Sequence, residues 1–253
     1  MNRKMKLTAR CLAAMILLGV FLWVWIRCQK PGKEPESNLI IVAEEGKSEL
    51  TKIDVKTVHG NEALFTISAE DFIRIFKYLF ACDFGSRYFP SLEEWAGRSY
   101  NSGIHSRYPT MQFWFSEDEN IFTLPTVTVY TPMEERCIQE ITINFDEHSY
   151  TETGFQRYKQ LCSYTLRVFF PTLSEEAVSQ LCDQVISVGN QNVFDSDAWY
   201  GSGAVPCALF YKDGVGIYPY FAIGDWQRFC VIPVTDEIIN GFEQKGVELY
   251  EIP

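Results

Sequence analysis

An apolar run near the N-terminus constrains this chain more than any other feature. It covers the sixteen residues 11–26 and is flanked by Arg10 and Arg27. A helix of that length is roughly 24 Å long, which is short for a bilayer core of about 30 Å. Long basic side chains at both ends can reach the headgroups and make up the difference. The run therefore predicts a transmembrane helix over residues 11–27.

Two other targeting signals fit the run less well than an uncleaved signal anchor. A cleaved signal peptide carries small residues before its cleavage site, whereas this run ends in Trp23, Trp25 and Arg27. A bacterial lipoprotein carries a small residue before its acylated cysteine, whereas Arg27 precedes Cys28. A buried helix of a soluble protein normally shows a polar stripe, which the run lacks. The sequence favours a signal anchor.

The orientation of the anchor follows from the lengths on its two sides. Four basic residues precede the run and three follow it, so the positive-inside bias is small. We expect residues 1–10 to form a cytoplasmic tip and residues 28–37 to form an extended polar linker. Residues 38–253 then form an extracytoplasmic domain of a single-pass cell-membrane protein.

Charge divides the chain into two unlike parts. Seven of the 22 bases and none of the 33 acids lie in the first 33 residues, so the rest carries 15 bases against 33 acids, a net charge of −18. Such a domain repels nucleic acid, and we expect no nucleic-acid partner. Solubility explains the charge better than an acidic recognition surface does. The chain has no Asn-x-Ser/Thr site, which favours a bacterial envelope.

The order of the predicted strands and helices indicates an α+β domain with a mainly antiparallel sheet, because they occur in blocks and not as βαβ units. Predicted strands at 50–58 and 63–67 form a hairpin, followed by a helix that Ser68 caps. A division into two subdomains near residue 150 is an alternative to one domain.

A helical hairpin packed on the sheet is the clearest predicted unit. Apolar residues keep helical spacing from Phe155 to Phe169, where Pro171 stops the helix. Ser174 caps a second helix, which we expect to end at Gly189. The short connection makes the two helices antiparallel neighbours.

Six cysteines lie in the predicted domain, and spacing tests two pairs of them. The helical hairpin places Cys162 opposite Cys182. This placement is compatible with a disulfide and equally with two buried free thiols. In a simple meander, one strand separates Cys207 from Cys230 by nearly 10 Å. This exceeds the disulfide limit of about 7 Å, so we expect no bond between them.

A basic and aromatic island in residues 83–110 is the first candidate binding site. This predicted long loop contains only three acids, and arginine and tyrosine are enriched in interfaces. The alternative is that its bases pair with the acidic sheet. The candidate ligand- or partner-binding residues here are Arg87, Tyr88, Arg98, Tyr100, Arg107 and Tyr108.

A second candidate loop covers residues 190–203 and contains Trp199 and Tyr200. These aromatic side chains lie close in sequence to amides and carboxylates, a combination that suits a sugar. The acids do not follow the spacing of a calcium loop. An ordinary loop with its aromatic side chains in the core is the simpler interpretation.

The sequence predicts no catalytic residue, no metal ligand and no cofactor. It contains no P-loop, His-Glu-x-x-His or Gly-x-Ser-x-Gly motif. Adjacent residues such as Asp146, Glu147 and His148 point in different directions and do not converge on one ion. The leading hypothesis is a non-enzymatic binding or assembly module with an envelope protein or glycan partner. An extracytoplasmic hydrolase with carboxylates distant in sequence is the rival, and a structural component of a membrane complex is a third alternative.

Overall fold

A computed structural model of the chain shows an α+β fold in the region that follows the predicted linker. It describes residues 53–58, 62–82, 84–89, 110–116, 125–132, 135–146, 151–192, 194–195, 206–223 and 226–253. The predicted anchor at 11–27 lies outside these residues. Among the helices that are described, none combines the length and the apolar character that crossing a membrane requires.

Four helices lie in the described part of the chain, and each begins at a capping hydroxyl. The side-chain oxygens of Ser68, Thr151, Ser174 and Thr235 accept hydrogen bonds from backbone N–H groups in the first turn. Each bond satisfies a donor that has no partner within the helix. The helices are α1 (Ala69–Phe80), α2 (Glu152–Phe169), α3 (Glu175–Gln191) and α4 (Asp236–Gln244).

Eight strands form one mostly antiparallel sheet, as the sequence predicts. These strands are β3 (Gly85–Phe89), β4 (Thr110–Ser116), β5 (Thr126–Pro132), β6 (Glu140–Asp146), β8 (Ala208–Lys212), β9 (Val215–Tyr220), β11 (Trp226–Pro233) and β12 (Glu248–Glu251). Their order across the sheet is β12-β8-β9-β11-β6-β5-β4-β3, and only the β12–β8 pair among them is parallel.

Two short two-stranded sheets complete the described strands. The predicted hairpin is present as β1 (Val55–Val58) and β2 (Glu62–Phe65), an antiparallel pair. The second pair, β7 (Phe194–Asp195) and β10 (Ala222–Ile223), is parallel. The described part of residues 190–203 is therefore the end of α3 followed by a short strand.

The main core lies between the sheet and helices α1, α2 and α3. Strand residues such as Ile141, Ile143 and Phe229 are fully buried against helix residues such as Phe72 and Leu161. On the opposite face of the sheet, α4 places Phe242 against Tyr218, with ring centroids 6.4 Å apart. Among the described side chains, apolar residues therefore cover the face toward α1, α2 and α3, and on the other face they lie at the α4 end.

Two local predictions are wrong. Residues 85–89 form strand β3, although the sequence indicated irregular chain over 83–110. Among the described strands, β3 pairs with β4 alone and lies at the edge of the sheet. It begins Gly-Ser-Arg, so it lacks the apolar alternation of a buried strand. Gly189 does not end α3, which continues to Gln191. A Cβ there would lie 2.7 Å from the Phe221 ring, so close packing explains this glycine.

The cysteine geometry agrees with the predicted strand order. Strand β9 lies between β8, which follows Cys207, and β11, which contains Cys230. Cys162 and Cys182 lie on facing helices of the hairpin. All four are free thiols in this structure.

Tyr158 carries a buried polar atom whose removal should stabilise the protein. Its hydroxyl lies beside the Cys162 thiol in the core but makes no hydrogen bond of acceptable geometry. Because an unsatisfied buried hydroxyl costs free energy, we expect Tyr158→Phe to raise the free energy of unfolding by roughly 1 kcal/mol in urea titrations. The control is Tyr164→Phe, which removes a hydroxyl that accepts a bond from Gln160 at 2.6 Å. Destabilisation by Tyr158→Phe would contradict this account.

Candidate functional site

Polar residues alternate with core residues along β5 and β6 and give the sheet a polar second face. Thr126, Thr128, Thr142 and Asn144 are each less than a tenth exposed, although they point away from the main core. We call this surface the polar face. Its members include Trp114, Thr126, Thr128, Tyr130, Glu140, Thr142, Asn144, Tyr218, Arg228 and Cys230.

Strand register aligns the polar face in cross-strand rows. One row runs from Tyr218 through Cys230, Thr142 and Thr128 to Trp114. It then ends at Gly85 on the edge strand, where an added Cβ would lie 2.9 Å from the indole ring of Trp114. A side chain at this position would displace the ring, so the glycine lets Trp114 lie across the edge of the sheet.

Asn144 links the threonines of the polar face. Its Nδ2 donates to Thr126 Oγ1 at 3.3 Å and to Thr142 Oγ1 at 3.5 Å. The three side chains come from two adjacent strands, β5 and β6. These contacts link the two hydroxyls on the face that also carries Glu140.

Glu140 is an acid of the polar face, and its carboxyl is desolvated although the residue as a whole is half-buried. The Tyr218 hydroxyl donates to Glu140 Oε1 at 3.3 Å. Burial raises the pKa of this carboxyl to about 7, although the charge of Arg228 and hydrogen bonds from Tyr218 and Cys230 lower it. At neutral pH, a large share of the carboxyl is therefore protonated and can donate a hydrogen bond.

Arg228 brings positive charge to the same face. In the strand register, Arg228 lies opposite Asn144 of β6 on one side and opposite Tyr220 of β9 on the other. Its guanidinium carbon lies 5.5 Å from the centre of the Tyr220 ring. The neighbouring Cys230 thiol is buried, and burial and the nearby Glu140 raise its pKa well above the ordinary value. A thiol in this state is a weak nucleophile.

This arrangement can bind a polar ligand, and it contains one of the two carboxyl groups that most glycoside hydrolases use. Trp114, Tyr130, Glu140 and Arg228 are all partly exposed, so the polar face reaches solvent there. A carboxyl with a pKa near 7 is also suited to general acid catalysis. However, the groups that shift the pKa of Glu140 are a guanidinium, a phenol and a thiol, not a second carboxylate. Within the described ranges, no group of acids, histidines and cysteines has the arrangement of a metal site.

The predicted binding residues are only partly placed. Arg87 and Tyr88 lie on β3, opposite Gln112 and Met111 respectively. In the strand register, Gln112 lies opposite Tyr130, and Tyr130 lies opposite Glu140. Arg87 therefore occupies the edge position of the cross-strand row that contains Glu140. The other predicted residues lie outside the described part of the chain: Arg98, Tyr100, Arg107, Tyr108, Trp199 and Tyr200.

Glu140, Tyr218 and Arg228 were not predicted from the sequence as a group. A local signal was present, since Glu140, Thr142 and Asn144 alternate with three apolar residues. Such alternation normally indicates a strand with one solvated face. What the alternation does not show is the pairing of β6 with β11, which brings Arg228 beside Asn144.

Comparisons with known proteins add no relative. No known protein family matches the sequence, and no curated protein and no solved structure matches the chain.

Proposed function

We propose that this chain is a membrane-anchored, extracytoplasmic binding module of a bacterial cell envelope, and that it is not an enzyme. The apolar run at 11–27 with its basic flanks supports the anchor, and the linker at 28–37 supports a domain held away from the membrane. The predicted glycan partner is favoured over a protein partner by the composition of the polar face.

One observation carries the choice of ligand: hydroxyl, amide and carboxyl groups lie beside partly exposed aromatic rings on the polar face. Trp114 and Tyr130 offer ring faces on which a sugar ring can stack. Glu140 and Arg228 offer hydrogen-bond donors at neutral pH. A few polar groups at fixed positions beside aromatic surface are typical of ligand sites. A glycan has both the hydroxyls and the apolar ring faces that match them.

Binding to soluble fragments of bacterial cell-wall glycan tests this proposal. We expect Arg228→Gln in the purified full-length protein to weaken binding by about tenfold or more, because a hydrogen bond from a charged donor is lost. The matched control is Arg167→Gln on α2, whose guanidinium carbon also lies over a ring, 5.7 Å from the centre of Phe80. Calorimetry compares the two variants. Equal affinity of wild type and Arg228→Gln would refute a site on the polar face.

The pH dependence of binding tests the role of Glu140 separately. Since the carboxyl donates only when protonated, we expect affinity to fall as pH rises through about 7. Glu140→Gln keeps an uncharged donor, so its affinity should remain nearly constant from pH 6 to pH 8. A wild-type affinity that does not change with pH would show that the Glu140 proton has no part in binding.

The rival function is an extracytoplasmic hydrolase, and the raised pKa of Glu140 is the observation in its favour. In that case Glu140 is the general acid and a second carboxylate comes from a distant part of the chain. Release of reducing ends or free peptides from envelope polymers, abolished by Glu140→Gln, would establish the hydrolase. Recovery of a membrane protein after crosslinking, without glycan binding, would instead favour a structural component of a complex.

A further inference from the structure

The helical hairpin places two thiols together inside the core. Cys182 on α3 donates a hydrogen bond from its Sγ to the backbone oxygen of Lys159 on α2, at a distance of 3.8 Å. Lys159 and Cys162 are three residues apart, so they lie on the same side of α2. The Cys182 sulfur therefore lies against the turn of α2 that carries Cys162.

The two thiols are shielded from solvent. Burial raises the pKa of the Cys162 thiol well above its ordinary value, and the nearby Cys182 thiol adds to this shift. Their residues are 0% and 1% exposed respectively. A buried dithiol has few hydrogen-bonding options, and a disulfide removes both weak donors from the core.

Ion pairs on both sides of the thiols agree with this alignment of the helices. Lys159 on α2 lies 2.5 Å from Asp183 on α3, next to Cys182 in sequence. Nearer the connection, Arg167 lies 3.3 Å from Glu175. Each pair is partly exposed and contributes little stability by itself, but both require the same antiparallel alignment. Cys162 and Cys182 face each other in that alignment.

We propose that Cys162 and Cys182 are a redox modification site, oxidised to a disulfide that joins α2 to α3. The oxidant is the disulfide of a thiol–disulfide oxidoreductase. One cysteine thiolate attacks a sulfur of that disulfide, forms a mixed disulfide and releases one donor thiolate. The second cysteine thiolate then displaces the remaining donor sulfur. The chain loses two protons and two electrons, and the donor disulfide becomes a dithiol.

Burial determines when this exchange takes place. A folded hairpin shields both sulfurs from a large oxidant, so oxidation accompanies folding, before α3 packs on α2. Once the disulfide has formed, the same packing protects it from reductants. That the oxidant is present rests on the proposed extracytoplasmic location, because disulfides persist in oxidising compartments.

The first experiment is thiol trapping in cells and in vitro. Cells that produce the full-length protein are quenched with acid, free thiols are alkylated, and peptides are analysed by mass spectrometry without reduction. In parallel, purified protein is denatured, reduced and refolded with oxidised glutathione. We expect a peptide pair linked through Cys162 and Cys182 in both samples, with the other domain cysteines alkylated.

Each outcome decides between the two proposals. A linked pair in both samples supports the redox site and the extracytoplasmic location together. A linked pair only after refolding supports the site and overturns the location. Free Cys162 and Cys182 in both samples, or disulfides between other cysteines, would overturn the redox site whatever the location of the protein.

Thermal unfolding tests the disulfide independently of the trapping experiment. We expect reduction of the oxidised wild-type protein to lower Tm by about 5–10 °C, because the disulfide lowers the conformational entropy of the unfolded chain. Cys207→Ser, at a half-buried position outside the hairpin, is the matched control and should keep this difference. The Cys162→Ala/Cys182→Ala variant should lose it. A reduced wild-type protein as stable as the oxidised one would contradict a stabilising disulfide.

Discussion

Replacing Phe72 with alanine is expected to lower the free energy of unfolding by about 3–5 kcal/mol. Phe72 on α1 is fully buried, and its ring centroid lies 5.0 Å from that of Phe76 and 6.2 Å from that of Phe169 on α2. Phe169 in turn contacts Phe65 of the β1–β2 hairpin, with ring centroids 4.6 Å apart. Loss of the Phe72 ring leaves a cavity where three elements meet. Equilibrium urea unfolding measures the loss.

Tyr78 provides the control within the same helix. It is 61% exposed, so Tyr78→Ala removes a similar ring with little change in buried surface. We expect this variant to remain within about 0.5 kcal/mol of wild type. Similar losses from the two replacements would contradict this account, because alanine has a higher helix propensity than either ring and a loss common to both would not come from the buried contacts of Phe72.

The second large effect is a loss of stability as pH rises. Burial raises the pKa of Glu140 from an ordinary value of 4.5 to about 7. Between these values the folded chain binds more protons than the unfolded chain, so the free energy of unfolding falls with increasing pH. The contribution is fully present below pH 4.5 and is lost above pH 7. We expect a total loss of about 3 kcal/mol from this group.

Glu140→Gln isolates this effect, because the amide has the shape of the protonated acid and does not titrate. We expect the variant to be more stable than wild type at pH 8 and to differ little from it at pH 5, in urea titrations at each pH. Glu152→Gln changes an exposed acid of α2 and serves as the control. If Glu140→Gln and wild type lost stability in parallel between pH 5 and pH 8, another group would be responsible.

Short-range structure was predictable from the sequence because its causes are local. Ser68 accepts a hydrogen bond from the Asp71 amide three residues later, and Ser174 does the same for Ala177. The spacing of apolar residues in α2 and α3 indicates the faces that they bury. Prediction failed where a local feature had a distant cause. Gly189 was expected to end its helix, but a glycine is required there because the Phe221 ring packs against it.

The polar face could not be predicted because it depends on pairing between distant strands. The alternation of Glu140, Thr142 and Asn144 is visible in the sequence, but Tyr218 is 78 residues from Glu140. No local pattern specifies which strand lies beside β6. Arg87 illustrates the same limit, since its position in the row of Glu140 depends on the pairing of β3 with β4 and of β4 with β5.

The strand order also affects how this protein folds. Strands β3 to β6 are neighbours in both sequence and space, whereas β6 meets β11 only across the long segment that contains α2 and α3. Closing that segment costs chain entropy before any contact offsets it, so we expect the β6–β11 pairing to form late and slowly. Until it forms, β6 and β11 each have one unpaired edge, and such an edge can pair with a strand of another chain. The polar face extends across this junction, so the candidate site is complete only in chains that have passed the step most exposed to aggregation.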